Sequence, residues 1–490
     1  MKPSINIVWL KRDLRLRDHE PLANAIAHKQ PILLLYIVEP INLKDPHMDI
    51  RHWRFIYESI QDLNQQLEAT NNKILIMHGD ADDVFSDIGN TFDILNVFSH
   101  QEIGLDHTFQ RDKKLKTWFR NNSIEWHEAT YGAVVRPLND RLRWRKHWDQ
   151  RILSPQHFID FDKLNALLLS HKAFLEFDTF QIPIDWQTPN EHFQIGGEKR
   201  AWYTLKHFFE TRGKGYFGNM GKPTESRQTC SRLSPYLAWG NISLKQVYQF
   251  SLTQEGRDGW SRSINAFQSR LHWHCHFVQK FESEADIEFR PVNRAYLEYP
   301  YLTEPKSTEH LQAWQKGETG IPIVDACMKC VVKTGYLNFR MRAMVVSFLC
   351  HHLNVDWRQG VTFLGAQFLD FEPGIHYPQF QMQAGITGTN TIRIYNPIKQ
   401  SIDKDPDGVF IRKWLPVLAD IPSELIHTPW KLTPLECQMY DFEFGKDYPT
   451  PVVDVDKAAA QARERLWNYR KRDDVKKEAK RVLFRHSVLI

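Results

Sequence analysis

The residues with the most chemistry to offer lie in TCSRLSPYLAWGNIS, positions 229–243. Thr229, Ser231 and Ser234 are short hydroxyl donors and Arg232 is a permanent cation. Ser234 is a good N-cap and Pro235 suits the first helical position, so a helix is predicted to begin there with its unpaired N–H groups facing back along the chain. Such an end attracts anions, and with these side chains it would suit a pyrophosphate. An ordinary capped helix accounts for the same residues. A second run, NAFQSRLHWHCHFVQKFE at 265–282, gathers His272, His274, Cys275 and His276. On a helix only positions 272 and 276 share a face, and no third ligand is evident, so polar groups facing a cofactor or substrate are expected rather than a metal.

The elements that must position these residues fall into three stretches. From residue 1 to about 130, NIVWL, PILLLYIV, KILIMHG, FDILNVFS and SIEWHEA alternate with amphipathic segments such as RHWRFIYESIQDLNQQLEAT. This predicts βαβ units and a parallel sheet, an α/β domain of Rossmann-like type. No G-x-G-x-x-G follows the first strand, so any ligand there is held in another way. Residues 131–200, with the basic-aromatic run RPLNDRLRWRKHWDQR, form a connector that could touch a polyanion. Residues 201–490 are helical almost throughout and form an all-α domain ending in a basic helix.

Composition narrows the class. The chain has 490 residues, 42% hydrophobic and 25% charged, the balance of a globular protein of two domains. No apolar run is long enough for a membrane span, and the N-terminus becomes charged too early for a secretory signal, so a cytoplasmic protein is expected. Six cysteines are too few for a disulfide framework and show no four-thiolate set for an iron–sulfur cluster. Cys327 and Cys330, in IPIVDACMKCVV, suit core packing. Net charge is +4, yet residues 457–490 carry a surplus of +7. That tail either tracks phosphates or is a solvated helix face. Sixteen tryptophans supply large π surfaces for cofactor stacking, base stacking or electron transfer.

SRLSPYLAWG resembles the flavin-phosphate loop of the DNA photolyase/cryptochrome superfamily. Further stretches match that superfamily in order: WLKRDLRLRD at 9–18, AWQKGETGIPIVDACM at 313–328, TGYLNFRMRAMVVSFLCHHLNVDWRQG at 334–360 and TGTNTIRIYNPIKQSIDKDPDGVFIRKWLPVL at 387–418. The resemblance implies an N-terminal antenna domain, with a chromophore of folate or deazaflavin type, and a helical domain holding FAD. It implies that Cys230, Ser231, Arg232, Leu233 and Ser234 line the flavin phosphates, with Cys230 where a threonine is usual and Tyr216 as a further partner. Asp370 and Glu372, with Phe371 between them, fall where acidic residues lie near the isoalloxazine and a salt bridge to Arg342 is expected.

Several positions depart from that pattern. Trp314 and Trp357 match the outer and middle members of the family's electron-transfer chain of tryptophans, but Phe380 stands at the flavin-proximal position. Met382 falls where a second tryptophan stacks on the lesion, and His376 or Tyr377 where an asparagine faces the flavin N5. Trp273 matches the residue that stacks on damaged bases, while Arg270 replaces the usual glutamate one turn earlier. The implied activity is light-driven repair of pyrimidine photoproducts in DNA. The alternative is a cryptochrome-type blue-light receptor, which Arg270 and Met382 favour. A light-independent flavin oxidoreductase is weaker, because nothing resembles a nicotinamide site.

Overall fold

A computed structural model describes residues 2–68, 72–138 and 141–486. The chain divides into two compact units, one of residues 1–210, 231–285 and 369–374, the other of residues 211–230, 286–368 and 375–490.

The first unit is built on five parallel strands: β1 (Ser4–Leu10), β2 (Ile32–Val38), β3 (Leu75–His78), β4 (Asp93–His100) and β5 (Glu125–Ala129). Their order is β3-β2-β1-β4-β5, so the direction of winding reverses between β1 and β4. Every residue of β2 is buried, as a parallel strand covered on both faces requires. The helices α1 (Glu20–Ala27), α2 (Ile50–Leu67), α3 (Ala81–Thr91) and α4 (Asp106–Asn121) cross between strands. In α2 the buried residues Phe55, Ile56, Ser59, Ile60 and Leu63 recur at three and four, and Asp49 closes a capping box with His52. The predicted helical run extends to Ala69 and Thr70, which lie outside the described residues.

The connector expected at 131–200 belongs to this first unit rather than standing apart. Its helix α5 (Trp144–Leu153) buries Trp144, Trp148 and Ile152 on one face. The two indoles meet the edge of His272, at 5.1 and 4.9 Å between ring centres, on helix α6 (Ser261–Ser283). Residues 139 and 140 of the basic-aromatic run lie outside the described residues.

The second unit is helical. Its principal elements are α7 (Lys306–Lys316), α8 (Pro322–Thr334), α9 (Phe339–Ser347), α10 (Trp357–Gln367), the part of α11 (Pro373–Gln383) from Ile375 on, α12 (Val455–Arg470) and α13 (Asp473–His486). Helix α8 forms its centre. Cys327 and Cys330 are buried there with free thiols, and Asp325 accepts from the Thr319 N–H and hydroxyl, the Gly320 N–H and the Tyr448 phenol.

Candidate functional site

The loop at 230–234 differs from its predicted form. The helix runs Ser234–Ala238, but the capping residue is Leu233, already in helical conformation, and no side chain caps the end. Ser234 is exposed as the first helical residue. The reason lies one residue earlier: Arg232 has φ +62°, a left-handed turn that delivers the chain to Leu233 ready to coil. A non-glycine residue there costs on the order of 1 kcal/mol, a strain that gathers at functional loops. The Gln194 amide donates to the Arg232 carbonyl at 2.9 Å and secures the turn. Ser231 Oγ accepts from the Leu233 N–H at 3.4 Å. In the second unit Cys230 ends the helix Pro223–Thr229 and its carbonyl accepts from Arg212, while Tyr216 is buried in the first turn of a short helix. Within the first unit, the Ser231 and Ser234 hydroxyls, the Arg232 guanidinium and the turned backbone form a donor set of the kind that fits a diphosphate.

On α6, Arg270 is exposed and Trp273 is 44% exposed one turn later, its ring stacked on Phe277 at 5.6 Å. His272 and His276 turn toward Trp144, and the Arg141 guanidinium donates to His276 Nδ1 at 2.7 Å. His274 goes elsewhere: its Nε2 stands 2.9 Å from Glu372 Oε2, and the Tyr131 hydroxyl donates to Glu372 Oε1 at 2.8 Å. Burial disfavours the His274 imidazolium, yet Glu372 holds its pKa up at about 10. Burial likewise opposes the Glu372 charge, but His274, Arg12 and Tyr131 keep its pKa below the usual range. Tyr131 was missed from sequence because nothing links position 131 to 372.

Phe371, expected at the cofactor, stacks on His47 with ring centres 5.0 Å apart, and its carbonyl accepts from Arg12. Asp370 beside it is half-buried.

In the second unit, Trp357 is fully buried, with Tyr377 edge-on at 6.3 Å. Phe380 is buried 5.7 Å from His376, and the His376 Nε2–H donates to the Val361 carbonyl at 2.8 Å. Met382 is half-buried. The Arg342 guanidinium lies 3.9 Å from the centre of the Phe368 ring and donates through Nε to Leu337 O. Trp314, which matches the outer member of the tryptophan chain, is 0% exposed, and its indole donates to Val345 O at 3.1 Å.

The carboxyl ends of β1, β2 and β4, where the winding reverses, border a crevice of about 60 Å³. Open α/β sheets bind ligands at such switch points. Trp9, Trp53, Trp239 and Phe371 line it with Lys11, Arg12, Glu39, Glu102 and Arg111. Arg111 is shared: Nη1 meets Glu39, Nη2 meets Glu102 at 2.6 Å, and Nε donates to Asp112 at 2.9 Å. Burial lifts Glu39 to about 7 against the pull of Arg111. Glu102 is also buried, but Arg111 and Lys11 hold it at about 2.

Asp13, His19 and His100 form the one cluster of metal-ligating types found among the described residues, and all three are buried. Asp13 Oδ2 lies 2.9 Å from His19 Nε2 and 2.7 Å from His100 Nδ1. His19 Nδ1 accepts from the Leu22 N–H at 3.1 Å, which puts its proton on Nε2 and leaves no lone pair there for a cation. The three side chains anchor the loop after β1.

Residues 6–141 match the family model described as DNA photolyase, and residues 267–468 match the FAD binding domain of DNA photolyase. The chain belongs to the DNA photolyase/cryptochrome superfamily. It is 27% identical to the deoxyribodipyrimidine photo-lyase of Alkalihalophilus pseudofirmus, over 94% of this chain and 97% of that protein. It is 26% identical to cryptochrome DASH of Gloeobacter violaceus, over 94% and 95%. The crystal structure of a bacterial class III photolyase from Agrobacterium tumefaciens superposes with a TM-score of 0.80 at 25% identity, covering 96% of this chain and 99% of that one. This superfamily protein therefore pairs a parallel-sheet domain with a helical FAD-binding domain.

Proposed function

We propose that the protein repairs pyrimidine photoproducts in DNA in a light-driven, FAD-dependent reaction. The observation that carries this reading is the outward face of α6, where Arg270 and the half-exposed Trp273 stand one turn apart. An extruded base can stack on Trp273, a contact worth about 1–3 kcal/mol. Arg270 supplies a permanent charge-assisted donor where negative charge develops on the pyrimidine. Reduced FAD, when bound, supplies the excited electron and recovers it. The chain's own part is to hold the flavin phosphates with Tyr216 and residues 230–234, to orient α6 by pairing His274 with Glu372, and to grip the lesion with Arg270 and Trp273. Asp370, Arg342, His376 and Met382 are assigned to the flavin and lesion surroundings on the family's pattern, and the cytosol is the proposed location.

The test exposes purified protein to UV-damaged oligonucleotides in blue light and in darkness, with products separated by chromatography. Light-dependent restoration of pyrimidines is expected, and Arg270→Ala should lower turnover while flavin content stays constant. No product from cyclobutane or (6-4) lesions, in single or double strands, would replace repair with the cryptochrome-type receptor. What that second reading has in its support is the loss of an acceptor at position 270, since arginine donates but cannot accept at the pyrimidine edge.

The strand-end crevice is the proposed antenna site. A volume of about 60 Å³ is below the roughly 300 Å³ of a typical ligand pocket, so a folate or deazaflavin ring requires side chains such as Met48 to swing aside.

A further inference from the structure

The basic surplus near the end of the chain has no part in the reaction described above. Helix α13 packs through a narrow seam of Val475, Val482 and His486, while Glu478 and Arg481 pair at 2.9 Å on its flank. The opposite face looks to solvent: Lys476, Lys477 and Lys480 are exposed, followed by Leu483 at 46% and Phe484 at 89% exposure. Positions 476, 480 and 484 follow one another at single-turn intervals, so two cations and an aromatic ring form a line with a rise of about 6 Å per step. Lys476 makes an exposed pair with Asp473, which is worth little, and Lys477 and Lys480 have no ion-pair partner among the described residues.

We propose that this face of α13 is a second nucleic-acid site, which binds undamaged single strands through phosphate contacts to the lysines and a base stacked on Phe484. Charge complementarity identifies a polyanion. A membrane is the poorer fit, because a helix lying in an interface needs an apolar stripe along its length, and the valines of α13 are already spent on packing. A single strand fits better than a duplex, because Phe484 needs an unpaired base face. The inference does not depend on repair.

Fluorescence anisotropy of the full chain with undamaged labelled oligo(dT), across a salt series, tests it. Lys476→Glu/Lys477→Glu/Lys480→Glu should weaken binding at least tenfold and flatten the salt slope by about two, and Phe484→Ala should cost about tenfold. Flavin absorbance and melting temperature should stay at parental values, since the valine seam is untouched. Unchanged affinity and slope in both variants would overturn the proposal. So would binding by the parent to phosphatidylserine vesicles without binding to the oligonucleotide. Arg270→Ala serves as the separating control: it should lower lesion turnover yet keep the lysine-dependent slope on undamaged strands.

Discussion

The strand-end crevice and the aromatic cluster around Trp357 solve opposite problems. In the crevice, charge is brought indoors and compensated: one guanidinium, Arg111, serves Glu39, Glu102 and Asp112, and its Cζ lies 4.9 Å from the centre of the Trp9 ring. Around Trp357 aromatic rings dominate, and the charges beside it, Asp356 and Arg358, pair with each other. Trp357 and Tyr377 are buried edge to face, Phe380 is buried beside His376, and the Trp357 indole N–H finds no acceptor among the described residues. A crevice of paired charges can orient a polar ring and answer to pH. A buried aromatic cluster can pass an electron from ring to ring.

The largest effect expected from breaking this contrast is Arg111→Met, which takes from the buried Glu39, Glu102 and Asp112 the guanidinium they share. Removal of one partner from a buried pair costs about 3–5 kcal/mol, and denaturant unfolding should register it. Adding Glu102→Gln should recover much of that loss. A single variant as stable as the parent would mean that the crevice charges are solvated.

Gly360→Ala probes the other region. A Cβ at Gly360 would lie 2.2 Å from Leu349 Cδ2, 3.4 Å from the Phe380 ring and 3.5 Å from the Trp314 ring. Overpacking of this kind costs about 1–3 kcal/mol, read as a lower melting temperature. An unshifted melting temperature would show that the cluster has slack.

The difference between the regions also governs what the sequence revealed. The central strands β1 and β2 were legible because buried parallel strands are continuous apolar runs, and the edge strand β5, with its Glu-Trp-His-Glu sequence, was legible only from its place in the alternation of strands and helices. The burial of Trp314 was not, since the family pattern marks the position of a residue and not its exposure. The crevice was invisible for another reason. Its partners, 39, 102 and 111, lie on different elements, and only the winding order brings them together. The same holds for Tyr131 with Glu372 and for Asp13 with His100. Arg232 misled in a subtler way: Ser-Pro predicts a cap, but the left-handed turn at the preceding arginine moves the cap to Leu233.

A smaller effect is expected from Phe380→Trp. An indole is easier to oxidise than a phenyl ring, so photoreduction of the flavin should quicken, measured as the rate of bleaching under blue light with a thiol donor. The packing against Gly360 sets a cost in stability of about 1–3 kcal/mol. Trp357→Phe in the parent should slow photoreduction without abolishing it, because Tyr377 offers another route. Complete loss, with a transient radical on Trp357, would show that Phe380 does not interrupt the relay.

The smallest expected effect is a titration in the crevice. Burial lifts Glu39 to about 7, above its ordinary carboxylate value, because Arg111 is already shared with Glu102. The two glutamates therefore titrate as a coupled pair, with one proton held near neutrality. A carboxyl whose folded pKa is raised stabilises the fold while protonated, so its contribution is full below the unfolded value near 4.5 and is lost as pH rises through about 7. Stability should thus decline modestly from pH 5 to pH 8, and tryptophan fluorescence should shift with a midpoint near 7, since Trp9, Trp53 and Trp239 line the same space. Glu39→Gln keeps the shape of the protonated acid and should flatten both curves. A midpoint that persists in Glu39→Gln would assign the titration to a group other than Glu39, and the contrast between a charge-compensated crevice and an aromatic cluster would lose its pH signature.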